Sequence, residues 1–352
     1  MVNVLIVDDS AFMRNALSSM LSSDPEIKII GTAKDGLEAV EKVQLLKPDV
    51  VTMDIEMPRM DGLSALKNIM EKSPVPVIMV SSITTEGAKV TLDALDLGAA
   101  DFIPKNLSEL SVNIVKIKGI LTEKVKTIAR KGALKNRPKK AINIQKPLET
   151  QKHIGTNVIG ERRISIVSIG TSTGGPKALQ EVIPKIPKDF PVPIVIAQHM
   201  PPNFTKPFAE RLNQLSAVTV KEAEEGEPLK PGIALVAPGK GNMRISRKKG
   251  IETIVNITEY NEEEFLYRPS VDALMISVAE CFPGRALGVI LTGMGNDGLK
   301  GLIMVKKTGG RVFAQNEETC VVYGMPKAVI EAGIADKVLP VEQIAGEIIN
   351  AV

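Results

Sequence analysis

Apolar residues in this chain fall in short runs, rich in Val, Ile and Leu, that stop abruptly on polar or glycine-rich clusters and give way to helical spacing. Residues 3–7 (NVLIV) stop on Asp8-Asp9-Ser10, residues 49–53 (DVVTM) on Asp54, residues 76–80 (PVIMV) on Ser81-Ser82, and the short run 101–104 (DFIP) on Lys105. A second series opens with residues 164–169 (ISIVSI), which stop on Gly170-Thr171-Ser172-Thr173-Gly174-Gly175. Residues 192–198 (VPIVIAQ) stop on His199, and residues 286–291 (ALGVIL) on Thr292-Gly293-Met294-Gly295-Asn296-Asp297-Gly298, ahead of a last run at 311–314. Runs that are apolar throughout, rather than alternating, predict strands covered on both faces and joined by crossover helices. The fold class is α/β in two units, the second a doubly wound, mostly parallel sheet. Within that second unit, strands at 218–221 and 232–239 precede two alternating segments, 242–246 and 252–258, around the turn Lys248-Lys249-Gly250. They predict a β-hairpin insert rather than a crossover, before a helix from about Ser270.

Between the two series, residues 107–133 carry Leu110, Ile114, Ile117, Leu121, Val125 and Ile128 near helical spacing and predict a helix that closes the first unit. Residues 131–163 then hold nine Lys/Arg against Glu149 and Glu161, a larger excess than the +3 of the whole chain. Such a run suits nucleic acid, but it lacks aromatic residues for stacking and no helix-turn-helix pattern follows it, so it predicts a solvated interdomain linker. The organisation expected is residues 1–125, a helical extension and basic flexible linker at 126–162, and residues 163–352. Each outer unit is long enough to bury its own core. No apolar run approaches the ~18 residues of a membrane span, and the first apolar run reaches Asp8-Asp9 too soon for a signal peptide. Two cysteines, Cys281 and Cys320, make no disulfide framework, and no Cys/His cluster suggests zinc. A cytoplasmic protein without membrane insertion is expected.

The glycine-flanked turn around Ser172 has two readings. A serine between a strand and a helix is exposed at the sheet edge, with helix-start N–H groups near enough to hold an oxyanion; the same glycines also serve a dinucleotide-binding turn. Of the two histidines, His153 lies in the linker and His199 at a strand's carboxyl end, which makes His199 the credible general base for Ser172. Asp297 stands at the end of a third strand, where it either caps the following helix or orients the histidine. Three strand ends carrying Ser, His and Asp favour acyl transfer. The order Ser-His-Asp differs from the Ser-Asp-His of α/β-hydrolases. On the dinucleotide reading an acid is due about twenty residues on, and Asp189 has that offset but precedes its strand.

In the first unit, Asp8, Asp9 and Asp54 gather at one sheet edge. Crowded carboxylates call for a hard cation, and Mg²⁺ bound by carboxylates and phosphate oxygens suits the set. Lys105 and the Ser81 hydroxyl are placed to hold the oxygens of a phosphoryl group on Asp54.

With these motifs together, residues 1–125 resemble a response-regulator receiver domain. Residues from about 162 onward resemble the catalytic domain of chemotaxis protein-glutamate methylesterases, the CheB family, on GTSTGG, QHMPP and TGMGNDG. The resemblance implies a (βα)5 flavodoxin-like receiver with Asp54 as phosphoacceptor, Mg²⁺ on Asp8, Asp9 and Asp54, and Ser81, Lys105 and the switch aromatic Phe102 sensing the phosphoryl group. It implies a Ser172-His199-Asp297 triad, an oxyanion donor in the Met294 N–H, and Thr173 lining the site. No cofactor is implied for the ester chemistry. Implied partners are a chemoreceptor's cytoplasmic domain as substrate and a chemotaxis histidine kinase as phosphodonor. Glutamine deamidation is implied as a side activity, and the receiver is expected to gate the catalytic cleft. The alternative carried beside it is a receiver-linked dinucleotide-binding regulatory protein without hydrolase activity.

Overall fold

In the computed structural model, residues 1–82, 84–105, 114–135, 163–248, 252–259 and 267–352 are described. The first series of apolar runs becomes one sheet. Its elements are β1 (Val2–Val7), α1 (Ala11–Ser22), β2 (Ile27–Ala33), α2 (Gly36–Leu46), β3 (Val50–Asp54), α3 (Gly62–Lys72), β4 (Val77–Ser82), α4 (Thr85–Asp96), β5 (Asp101–Lys105) and α5 (Ile114–Lys135). The strands lie in the order β2-β1-β3-β4-β5, all parallel. β3 is buried along its whole length, which is why it reads as an unbroken apolar run. Ser10, Asp35, Asp61 and Thr84 each accept a backbone N–H at the start of a helix, fixing where the chain leaves the sheet edge.

The second series gives β6 (Ile166–Thr171), α6 (Gly175–Val182), β7 (Ile194–Gln198), α7 (Pro202–Leu215), β8 (Thr219–Glu222), β9 (Ile233–Val236), β10 (Gly241–Arg247), β11 (Thr253–Glu259), α8 (Val271–Cys281), β12 (Ala286–Ile290), α9 (Leu299–Lys307), β13 (Arg311–Gln315), α10 (Met325–Glu331), β14 (Lys337–Leu339) and α11 (Val341–Ala351). Seven strands form a sheet in the order β14-β13-β12-β6-β7-β9-β8, and every pairing in it is parallel. β10 and β11 pair antiparallel as the expected hairpin. From β6 the chain steps to β7 on one side and returns later to β12 on the other, so β12, β6 and β7 are adjacent. Their carboxyl ends form the switch point where such sheets bind ligands.

Of the helix expected over 107–133, α5 occupies Ile114–Lys135; Leu110 lies outside the described residues, while Leu121, Val125 and Ile128 are buried. Most of the basic linker, His153 included, also lies outside them. Among the described residues no helix is long and apolar enough to cross a membrane.

The two units pack together. Phe102 of β5 stacks on Phe204 of α7, with ring centroids 4.7 Å apart and planes 12° apart. One apolar cluster runs from Leu92 and Leu95 through Phe102 into Ala178, Phe204 and Phe208. At its rim Arg211 pairs with Asp93 at 2.6 Å and with Asp96, and Gln180 donates to Asp96 at 3.0 Å. A cavity of about 730 Å³, lined by Leu95, Ala99, Ile128, Gly174 and Val321 among others, interrupts this packing.

Candidate active site and phosphoryl site

Three adjacent strand ends bring Ser172, His199 and Asp297 into one line. His199 Nδ1 lies 3.1 Å from Ser172 Oγ, and Nε2 lies 2.7 Å from Asp297 Oδ2. Burial pushes the Asp297 carboxyl up, but the His199 hydrogen bond and the N–H groups of Val271 and Asp272 outweigh it and hold the group below the ordinary carboxylate range. An ionised Asp297 only accepts, so Nε2 carries the imidazole proton and Nδ1 turns its lone pair to the Ser172 hydroxyl. This geometry can move the serine proton onto the ring as Oγ attacks a carbonyl.

The sequence reading missed the residues that hold the line in place. Thr292 O accepts from Ser172 N at 3.0 Å and Thr171 Oγ1 at 2.8 Å, while Thr292 Oγ1 donates to Thr173 O at 2.9 Å. Gln198 Nε2 donates to Ser172 O and His199 O, both at 3.0 Å. Tyr267 stacks on the His199 ring at 4.7 Å and 8°, fixing its plane. A Cβ on Gly293 would lie 2.9 Å from Ser172 Cβ and 2.2 Å from Met325 Sδ, so only glycine lets this loop approach the serine. Gln198, Thr292 and Gly293 stand inside the quoted motifs, whereas Tyr267 lies in no patterned segment and left no signal.

Met294 stands on the same loop. Among the described residues, neither its backbone N–H nor that of Thr173 has a hydrogen-bond partner, so both are available to an oxyanion. Thr173 Oγ1 is buried and unpartnered beside the serine.

The dinucleotide reading fails on this turn. Space that glycine would leave for a pyrophosphate is taken by the chain itself, since a Cβ on Gly175 would meet Gln198 Oε1 at 2.0 Å and Thr171 Oγ1 at 2.4 Å. Asp189 is exposed ahead of β7, at the opposite sheet edge from Ser172.

At the carboxyl edge of the first sheet, one carboxylate oxygen from each of Asp8, Asp9 and Asp54 lies within 4.8 Å of the others. Lys105 Nζ reaches Asp54 Oδ2 at 2.6 Å and Asp8 Oδ2 at 2.9 Å. The three carboxylates form an all-oxygen donor set, with only the Lys105 charge against Asp8 and Asp54 among the described residues, and such a set suits a hard divalent cation. Ser81 Oγ points into α4 instead, where it accepts from Thr91 Oγ1 at 2.5 Å and lies 3.3 Å from Gly87 O. The phosphoryl-sensing residues expected from the sequence are therefore divided: Lys105 engages Asp54, Ser81 is held by α4, and Phe102 faces Phe204.

Burial, against the pull of Lys105, pushes the Asp54 carboxyl up to about 6 from its ordinary 3.8. The native state binds more protons than the unfolded chain between these values, so stability falls as pH rises through that window and stays lowered above it. The cost at neutral pH is about 3 kcal/mol at most. Asp54→Asn is expected to raise the metal-free melting temperature at pH 7 by several degrees and to leave it nearly unchanged at pH 4. Thermal scans at both pH values check this; equal shifts at the two would contradict it.

Comparison with known proteins gives concordant results. Residues 167–348 match the family model described as CheB methylesterase, and residues 4–114 the response regulator receiver domain. The protein-glutamate methylesterase/protein-glutamine glutaminase 1 of Oleidesulfovibrio alaskensis is 50% identical over 369 aligned positions, covering 100% of both chains. The protein-glutamate methylesterase/protein-glutamine glutaminase of Thermotoga maritima is 47% identical over 354, covering 100% of this chain and 98% of that one. The crystal structure of the Thermotoga maritima CheB methylesterase catalytic domain superposes with a TM-score of 0.52 at 47% identity, covering 54% of this chain and all of that one.

Proposed function

This chain belongs to the CheB methylesterase family, and from that premise we propose that it is a phosphorylation-regulated protein-glutamate methylesterase acting on the cytoplasmic part of a chemoreceptor. The observation that carries the proposal is the convergence of Ser172, His199 and Asp297 on three adjacent strand ends. Ser172 Oγ attacks the γ-carbonyl of a glutamyl methyl ester as His199 Nδ1 takes its proton, and the Met294 and Thr173 N–H groups receive the oxyanion. The imidazolium returns that proton to departing methoxide, so methanol leaves and an acyl-serine remains. Water, deprotonated by the same nitrogen, releases glutamate. A glutamine carboxamide can follow the same path with ammonia as the leaving group, which supports the deamidase side activity.

In the first unit Asp54 accepts the phosphoryl group from a chemotaxis histidine kinase. Asp8, Asp9 and Asp54 would hold Mg²⁺, which would supply charge neutralisation for the phosphoryl oxygens. Lys105 then exchanges its Asp54 contact for a phosphoryl oxygen. Ser81 reaches the group only by releasing α4, the helix whose Asp93 and Asp96 hold Arg211. Phe102 ends its stack on Phe204, five residues beyond His199. This relay joins phosphorylation to the interface, with domains placed at 1–125 and 163–352, the extension and linker at 126–162, and the whole protein in the cytoplasm.

The ion pairs of Arg211 are half-exposed and each worth at most about 1 kcal/mol. Arg211→Ala removes both pairs and is expected to raise the unphosphorylated rate by up to about thirtyfold, and moderate salt should raise the wild-type rate but not the variant's. Ester-hydrolysis assays across a salt series check this. The function itself is tested by mass spectrometry of a methylated receptor fragment incubated with the protein. Conversion of methyl esters to acids at glutamyl positions is expected, and an unchanged fragment overturns the proposal.

A further inference from the structure

Helix α9 begins at Gly298, which has φ +96 and no side chain to cap the helix. Asp272, on the first turn of the neighbouring α8, fills that role: its Oδ1 accepts from Gly298 N at 3.0 Å and Gly301 N at 2.8 Å. Asp297 does the converse for α8, accepting from Val271 N at 2.7 Å through Oδ2 and from Asp272 N at 3.0 Å through Oδ1. Each helix start is thus capped by an acid from the other. The two carboxylates share one hydrogen, because Gly298 N also donates to Asp297 Oδ1 at 3.1 Å. Gly301 permits this closeness: a Cβ there would meet Met275 Cβ at 2.6 Å.

A neutral acceptor such as Asn would cap α9 without a second buried charge beside Asp297. Asp272 is only 8% exposed, and like charges at this range repel. Burial first, and then Asp297, push its carboxyl up to about 6, against the N–H groups of Gly301 and Gly298 and the Lys300 charge. A charge kept at such a cost bears on the one group nearby that becomes cationic during the reaction, the His199 imidazolium. We infer that Asp272 is a positioning residue for ester hydrolysis: it fixes Asp297 by reciprocal capping of α8 and α9 and places a second negative charge behind the triad that favours proton uptake by His199. This rests on the esterase reading above. The other groups facing the pair are Ser270, which donates to Asp297 Oδ1 at 3.2 Å, and Tyr267, whose hydroxyl is held in its neutral form by burial and by Asp297.

The full-length protein carrying Asp272→Asn tests the inference, since Asn keeps the acceptor and removes the charge. With methylated receptor as substrate, kcat is expected to fall about three- to tenfold with KM unchanged. The acid limb of the pH profile moves to lower pH, and the melting temperature is not lowered. Asp272→Ala, which also strips the cap, lowers both kcat and the melting temperature. A structural cap alone would leave kcat and the acid limb of Asp272→Asn at wild-type values, and that result overturns the inference. Wild type and Ser172→Ala run beside it. If wild type releases methanol and Ser172→Ala does not, an unaltered Asp272→Asn condemns only the role of Asp272, whereas no release from wild type condemns the esterase reading as well.

Discussion

Replacing Ser172 by alanine lowers methyl-ester hydrolysis by roughly a millionfold, the loss typical of removing a nucleophile whose oxyanion site survives. Among the described residues, only the 3.1 Å contact to His199 disappears with the hydroxyl. The backbone bond from residue 172 to Thr292 O remains, as does that from Gln198 to its carbonyl. The turn therefore keeps its shape, and the melting temperature should match wild type. The residual rate, no longer dependent on His199 as base, should lose the acid limb of its pH profile. Methanol release against pH for both proteins checks this; a variant within a hundredfold of wild type would show that another group attacks the ester.

Asp297→Asn should lower kcat by about ten-thousandfold, through the wrong imidazole tautomer, and here it should also lower stability. Among the described residues, each hydrogen bond to the Asp297 carboxylate comes from a donor: His199 Nε2 and Val271 N on one oxygen, Ser270 Oγ, Asp272 N and Gly298 N on the other. An amide brings an NH₂ that opposes donors on whichever side it sits. Facing His199, it turns the lone pair of Nε2 toward itself and leaves the proton on Nδ1, where Ser172 needs an acceptor. Facing Gly298, it leaves the Asp272 N–H at the α8 start unpaired, at about 1–3 kcal/mol for a buried group left unsatisfied, while Gly298 N keeps Asp272 Oδ1. Activity and thermal denaturation of the same preparation check both effects. Wild-type stability with lost activity would confine Asp297 to the histidine; wild-type activity would remove it from the triad.

The layered α/β architecture and the carboxyl-edge placement of Ser172, His199, Asp297, Asp8, Asp54 and Lys105 were legible because buried parallel strands are unbroken apolar runs whose ends are marked by polar or glycine residues. β2 and β14 are less legible for the same reason: β2 is only partly buried and β14 lies at the sheet edge, with Val338 exposed, so neither carries a long apolar run. What the sequence conceals is side-chain direction. Nothing in the spacing of Asp272 and Asp297 reveals that two helices exchange caps, and nothing in FLYRPS reveals that Tyr267 lies flat on His199. Ser81 is the instructive case. Its strand-end position suits a phosphoryl ligand, yet its hydroxyl turns toward Gly87 and Thr91, because α4 starts close enough to offer it partners.

Whether a Ser172 esterase and an Asp54 phosphoryl gate work together in this chain is measured most directly by methanol release from methylated chemoreceptor. The full-length protein and Asp54→Asn are compared before and after addition of a small phosphodonor with Mg²⁺. The wild-type rate is expected to rise on addition, and the Asp54→Asn rate is expected not to respond. Release that is equal in both proteins and unaffected by the donor would contradict the gate, and no release from either would contradict the esterase.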